Sequence, residues 1–375
     1  MPKLMLKNDE VANITVGELG VPTSIESVIN PELLPVAFLD KSDEPLEKRF
    51  DRWINRRKIP SKRDGLKFLC NLWGQRWLIS PYYASLSDQY WIKKDDKTWE
   101  DVNFFTRKYS LDVNHVVFSP WLMTSTKGFS LDSPDLTTNG MLKKTWIQKE
   151  DGTSMLVKCS SEAFRQEPMN EVLTYLLCVQ LNIPCVKYDF HIEGVELSSI
   201  CDNFINETTE LVPSTDFYYF KTRDKSQESI YSHLLKMCEL LDIPNAEMYV
   251  NQIICVDRLT GNVDRNLSNI SFIRDSNTKK FIGPAPLYDN GGAYMKSENV
   301  NRVFNPNFVD VGENIFKKYF KGKNMPKDDL FEAEIVGILS NYPYLSKTKQ
   351  TNLLEQIRKT NAFLQHPVFL NNLER

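Results

Sequence analysis

The 375 residues are 41% apolar and 25% charged, a balance that suits a folded globular chain and excludes disordered, collagen-like and membrane-embedded classes. With 46 basic against 49 acidic residues the formal charge is −3, so no global field recruits nucleic acid or anionic lipid. At about 150 residues per domain the length suits two or three domains or lobes, no run approaches the roughly 18 apolar residues of a membrane span, and Asp9 and Glu10 interrupt any N-terminal leader.

The seven tryptophans all fall between Trp53 and Trp146, which sets off a Trp-rich region over residues 1–130. Within it Lys48 to Lys67 carry nine Lys and Arg, while Phe50, Trp53 and Ile54 share one helical face before Pro60 ends the pattern. Such a run is either a patch for nucleic acid or an acidic partner, or a solvated helix face with its aromatics turned inward, and the second is the commoner outcome. The aromatic stretch from Ser80 to Ile92 offers packing rather than chemistry.

From about Ser133 the pattern changes to strands. Lys144 to Gln148 and Met155 to Lys158 flank Glu150-Asp151-Gly152, which predicts a β-hairpin. A helix is expected from about Pro168, with Met169, Val172, Leu173, Leu176, Leu177 and Leu181 on its apolar side, ending near Asn182. Strands over 186–192 and 197–205 follow, the second running into a polar loop at 206–209. Beyond Ser226 the chain reads as helical: Ala246, Tyr249, Val250, Ile253 and Ile254 form a stripe that ends at Gly261, a left-handed C-cap, and helices over 327–340 and 346–364 close the chain. Sheet first and helices second predict an α+β protein with two lobes around a cleft, the lobes spanning 131–206 and 207–375.

The chemistry concentrates in Gly261 to Ile270 and in Tyr288-Asp289-Asn290-Gly291-Gly292. Ile270 to Ile273 and Phe281 to Leu287 predict a hairpin whose antiparallel return sets residue 269 opposite 289. Asn269 and Asp289 then become neighbours, and the helix ending at Gly261 delivers Asp264 to the same place. One amide oxygen and two carboxylates form a hard donor set suited to Mg²⁺. An oxygen-bound metal also fits a chain whose seven cysteines show no CxxC pair and whose four histidines are not spaced with cysteine as a zinc set; those cysteines predict reduced thiols and a cytoplasmic location. Asp-x-x-x-x-Asn from Asp264 to Asn269 has the spacing of the protein-kinase catalytic loop, with Asp289 as the second metal-binding aspartate. Taken alone, Asp264 and Asn269 are equally turn residues and Asp289 a strand-end cap. Lys158 in Leu-Val-Lys-Cys requires an anionic partner if it faces the cleft, and Glu171 can supply it; the alternative is an edge-strand lysine and a glutamate at a helix start. Thr138-Asn139-Gly140 precedes the first strand with backbone N–H groups able to cradle phosphates, although it lacks GxGxxG.

These residues resemble the HipA-type serine/threonine kinases, toxin components of bacterial toxin–antitoxin systems with a protein- and phosphatidylinositol-kinase-like fold. The match lies in Ser133 to Gly140 with Lys144 and Trp146, in Leu156-Val157-Lys158, in Asn170-Glu171, and in Gly261 to Asn269 with Leu287-Tyr288-Asp289. The resemblance implies ATP and Mg²⁺ as cofactors, Asp264 as catalytic base, Asn269 and Asp289 as Mg²⁺ ligands, Lys158 as the ATP lysine and Glu171 as its helical partner. It sets the adenine against the crossover at Cys201-Asp202-Asn203-Phe204 and implies a protein substrate, an antitoxin-like protein partner, nucleic acid contacted only indirectly, and autophosphorylation at Thr137 or Thr138. Asn266 stands where family members often carry histidine, and residues 1–130 depart from the usual N-terminal subdomain. Readings from other classes are a catalytically silent kinase-like scaffold that binds a partner through its N-terminal region, and a nucleic-acid module built on Lys48 to Lys67.

Overall fold

The computed structural model describes residues 1–17, 20–60, 63, 82–109, 140–161, 163–193, 196–295, 306–321 and 329–365. The N-terminal region is built on a four-stranded antiparallel sheet, an element its tryptophan content does not announce. Its strands are β1 (Lys3–Leu6), β2 (Asp9–Val16), β3 (Pro22–Val28) and β4 (Tyr90–Lys93), in the order β3-β2-β1-β4. Helix α1 (Leu46–Arg56) lays Phe50, Trp53 and Ile54 into the core of this region beside Phe38 and Tyr90. Four arginines around them are occupied internally: Arg49 donates to the carbonyls of Ala37 and Leu39, Arg52 pairs with Glu44, Arg56 with Asp216, and Arg57 with Asp88 while stacking on Trp53. The aromatics turn inward as the commoner reading expects, but Arg49 and Arg57 are buried rather than solvated, their guanidinium groups tying the helix down. A short α2 (Trp99–Val102) opens on a Thr98–Asp101 capping box.

The predicted hairpin forms as β5 (Lys144–Gln148) and β6 (Ser154–Cys159), paired Lys144 to Lys158 through Gln148 to Ser154. Gly152 takes the left-handed conformation, φ 89°, that the turn needs. With β7 (Asp189–Glu193) and β8 (Glu196–Asp202) these strands make an antiparallel sheet in the order β5-β6-β8-β7. Helix α3 (Glu167–Gln180), with Pro168 in its first turn, packs on this sheet.

A third sheet, β11-β10-β9, only half matches the sequence expectation. β9 (Thr209–Pro213) emerges directly from the loop at 206–209 and pairs with β10 (Ser271–Asp275), whose other neighbour is β11 (Phe281–Pro284). The hairpin register corrects the expected one. Phe272 faces Pro284, two residues tighter than a pairing of 269 with 289, and a bulge follows at Ile273/Arg274. Helices α4 (Ile230–Leu240) and α5 (Ala246–Thr260) form a core with Phe217, Phe220 and Phe272, followed by α6 (Val309–Phe320), α7 (Asp329–Asn341) and α8 (Lys347–Gln365). Gly261 is the left-handed cap expected of it, φ 64°. The six cysteines among the described residues are free thiols, and no helix there is long and apolar enough to cross a membrane.

Candidate active site

Strand β6 ends its apolar run with Lys158, 6% exposed, pointing toward α3. Its Nζ lies 2.6 Å from Glu171 Oε1 and 2.5 Å from Asp289 Oδ1, so the sheet, the helix and the segment after β11 meet at one ammonium. Glu171 is fully buried, and its second oxygen accepts the backbone N–H of Asn290 at 2.7 Å. Burial alone lowers the pKa of Lys158, but the carboxylates of Asp289 and Glu171 outweigh it and hold the ammonium above its usual range. Desolvation likewise acts upward on Asp289, and the charges of Lys158 and Lys144 overcome it, holding that carboxyl below the ordinary carboxylate range.

Asn269 ends a single 3₁₀ turn, Leu267–Asn269, capped by the Asn266 side chain, which accepts the N–H of Ser268. It does not lie in a strand, yet its Nδ2 donates to Asp289 Oδ2 at 2.5 Å. The expected neighbourhood of 269 and 289 therefore arises through side chains rather than strand pairing. Asp264, itself exposed, follows the Gly261 cap between the buried Asn262 and Arg265, its N–H donating to Asn262 Oδ1 at 3.1 Å. It stands against Gly292: a Cβ there would fall 2.8 Å from Asp264 Cβ and 2.9 Å from Asn262 Oδ1. Partial burial and the Asp289 charge push the Asp264 carboxyl upward.

The remaining expected residues divide. Thr138 and Asn139, with Thr137, lie outside the described residues. Gly140 is within them, φ 105°, and its carbonyl accepts Arg63 Nε at 3.0 Å. Asp202 ends β8 exposed, its carboxylate paired with Lys149 at 2.7 Å, so that residue's side chain is turned to the β5–β6 hairpin. Phe204 packs on Tyr288 with ring centroids 5.8 Å apart, directly beside Asp289.

Sequence reasoning gave no role to two buried cations. Lys144 sits opposite Lys158 across the β5–β6 ladder, and burial, then the Lys158 charge, push its pKa down to about 7. Arg265 is 2% exposed and pairs with Asp257 of α5. Strand alternation could have found Lys144, because directly paired residues share a face; Arg265 had no signal short of the tertiary structure.

No protein-family model and no curated protein matches the chain. Among solved structures, one from the Shewanella oneidensis MR-1 toxin–antitoxin system, HipA with HipB and its operator DNA, matches with a TM-score of 0.58 and 14% identity over 99% of this chain and 99% of that chain. The chain has a HipA-type kinase-like fold. The Helicobacter pylori proinflammatory kinase CtkA matches with a TM-score of 0.41 and 14% identity, covering 62% of this chain and 95% of its own.

Proposed function

We propose that the chain is an ATP- and Mg²⁺-dependent phosphotransferase acting on serine or threonine hydroxyls of a protein substrate. The observation that carries the proposal is the meeting of Lys158, Asn269 and Glu171's tether around Asp289, with Asp264 across Gly292. Among the described residues no three His, Cys, Asp or Glu gather to cage a metal. The Asp289 carboxylate and the Oδ1 of the Asn269 amide are hard oxygen donors that would hold Mg²⁺, a cation that suits one or two protein oxygens alongside substrate phosphates. Bound there, Mg²⁺ would neutralise charge on the β- and γ-phosphates.

The chain's own groups divide the remaining work. Lys158, held by Glu171, presents a fixed positive charge to the α- and β-phosphates. Asp264 orients the acceptor hydroxyl and takes its proton as the oxygen attacks the γ-phosphorus; the bond from that phosphorus to the β-phosphate oxygen breaks and ADP leaves. Phe204 and the adjoining crossover supply an apolar surface for the adenine. Thr137 or Thr138 is the expected site of self-modification. By analogy with the HipA structure, solved with HipB and DNA, an antitoxin-like protein is the expected partner, and DNA would be reached through it, since the arginines of α1 are engaged in internal contacts.

Incubation with γ-labelled ATP and Mg²⁺, read as label in the protein and as ATP hydrolysis, tests this. Asp264→Asn should keep the wild-type melting temperature and lose about 10²–10⁴-fold in rate. Equal turnover in the two proteins would remove the base assignment, and label confined to residues other than Thr137 and Thr138 would remove the self-modification site.

A further inference from the structure

Arg265 follows the catalytic aspartate and faces away from the cleft, where it makes contacts that run to both halves of the site. Its Nε and one Nη donate to the two oxygens of Asp257 at 3.1 and 3.0 Å, a bidentate pair. The same Nη donates to Asn290 Oδ1 at 2.6 Å, and the other Nη to the carbonyls of Tyr288 at 2.6 Å and Asp289 at 3.4 Å. One planar fork thus holds three consecutive residues of the turn that carries Asp289. That turn needs holding, because Asp289 is in the left-handed region, φ 57°. Such conformations persist where the surroundings over-determine them.

Asp257 has a second duty. Its Oδ1 also accepts Asn262 Nδ2 at 3.0 Å, and Asn262 Oδ1 in turn accepts the Asp264 N–H at 3.1 Å. Asp257 sits in the last turn of α5, on a buried helix that anchors in a hydrophobic core. From this single carboxylate one arm reaches the Asp264 backbone through Asn262, and another reaches the Asp289 turn through Arg265.

We propose that Asp257 and Arg265 form a buried strut that sets the position of Asp289 relative to Asp264, making Arg265 a positioning residue for the metal-bound nucleotide. The proposal rests on the phosphotransferase reading above. It needs arginine specifically: lysine has no planar fork and cannot hold Asp257, Asn290 and two carbonyls together.

Equilibrium binding of a fluorescent ATP analogue to the full chain, in Mg²⁺ and in EDTA, separates positioning from simple loss of structure. Wild type should bind more tightly in Mg²⁺. Arg265→Lys should lose about tenfold of that metal-dependent gain, as outer-shell partners of metal ligands commonly do, with its affinity in EDTA unchanged. Because Arg265→Lys weakens the pairing of a buried carboxylate and can compromise folding, Asn290→Ala, which removes one arm without stranding a charge, should show a smaller loss of the same kind. Full retention of the Mg²⁺ gain in the folded variants overturns the strut, as does an equal loss with and without Mg²⁺. No Mg²⁺ effect in wild type overturns the phosphotransferase reading and the strut with it.

Discussion

Lys158 and Glu171 form an ion pair with almost no access to water, 8% and 0% exposed at the side chain. Removing one partner of such a pair leaves the other as an uncompensated buried charge, which costs far more than the intact pair contributes. Lys158→Ala should therefore lower unfolding free energy in urea by about 3–5 kcal/mol. Adding Glu171→Gln to it should recover part of that loss, because only the Asp289 carboxylate then faces the vacated position as a charge. A single variant as stable as wild type would mean that the pair does not join β6 to α3. Both residues were legible in sequence, since a lysine in an apolar strand run and a glutamate in the next helix each carry a local pattern. Arg265 was not legible: its partners at 257, 262 and 288–290 come together only after α5 and the β10–β11 hairpin have folded.

Among the elements, those with a local signal came through. The β5–β6 hairpin, the start of α3 at Pro168 and the end of α5 at Gly261 each rest on turn or cap chemistry within a few residues. β9 was missed because its partner β10 lies some sixty residues along the chain, with Thr209 facing Asp275; no local pattern records such a pairing. The four-stranded N-terminal sheet was missed for a related reason: β1 and β4 are four residues each, and β4 joins β1 from across more than eighty residues. One element-level contact has a consequence for activity. Gly292 lies so close to the Asp264 loop that the methyl of Gly292→Ala must displace either Asp264 or Asn262. Overpacking of this kind should cost about 1–3 kcal/mol in stability. Phosphate transfer should fall further than the stability loss explains, with nucleotide affinity largely kept, because either displacement disturbs the proposed base, whose N–H Asn262 holds, rather than a phosphate contact. Wild-type kcat in this variant would show that the loop yields without moving Asp264.

Across the whole molecule, the loop leading into β4 braces the segment that runs from β8 into β9. Asn203, in that segment, donates to the carbonyl of Leu86 at 3.2 Å; Gln89 donates to the carbonyls of Asn206 and Thr209 at 2.8 and 2.7 Å; Leu211 N–H donates to Ser87. At the centre of this junction Lys279, from the β10–β11 turn, donates to Tyr90 OH at 3.1 Å and lies 3.8 Å from the buried Glu210, itself paired with Arg274. Burial is the largest influence on Lys279 and brings its pKa from 10.5 down to about 8, with Glu210, Arg274, Asp88 and Lys7 contributing to the field around it. In the unfolded chain the lysine binds its proton up to its ordinary value, so between the two the unfolded state holds more protons and stability rises with pH. The contribution is complete above the unfolded value and is lost as pH falls through about 8. The gain over that window should approach about 3 kcal/mol, because each tenfold change in proton affinity between the folded and unfolded chain is worth about 1.36 kcal/mol. Urea midpoints measured from pH 8 upward in wild type and Lys279→Met isolate it: the difference between the two proteins should change across the window in the direction that favours wild type at higher pH. Tyrosines whose pKa is raised by burial, such as Tyr83 and Tyr231, act with the opposite sign near the top of the range, but they are common to both proteins and cancel in the difference. Parallel curves would mean that Lys279 reaches water at the junction, and that the loop leading into β4 is seated less tightly on the segment from β8 to β9 than these contacts require.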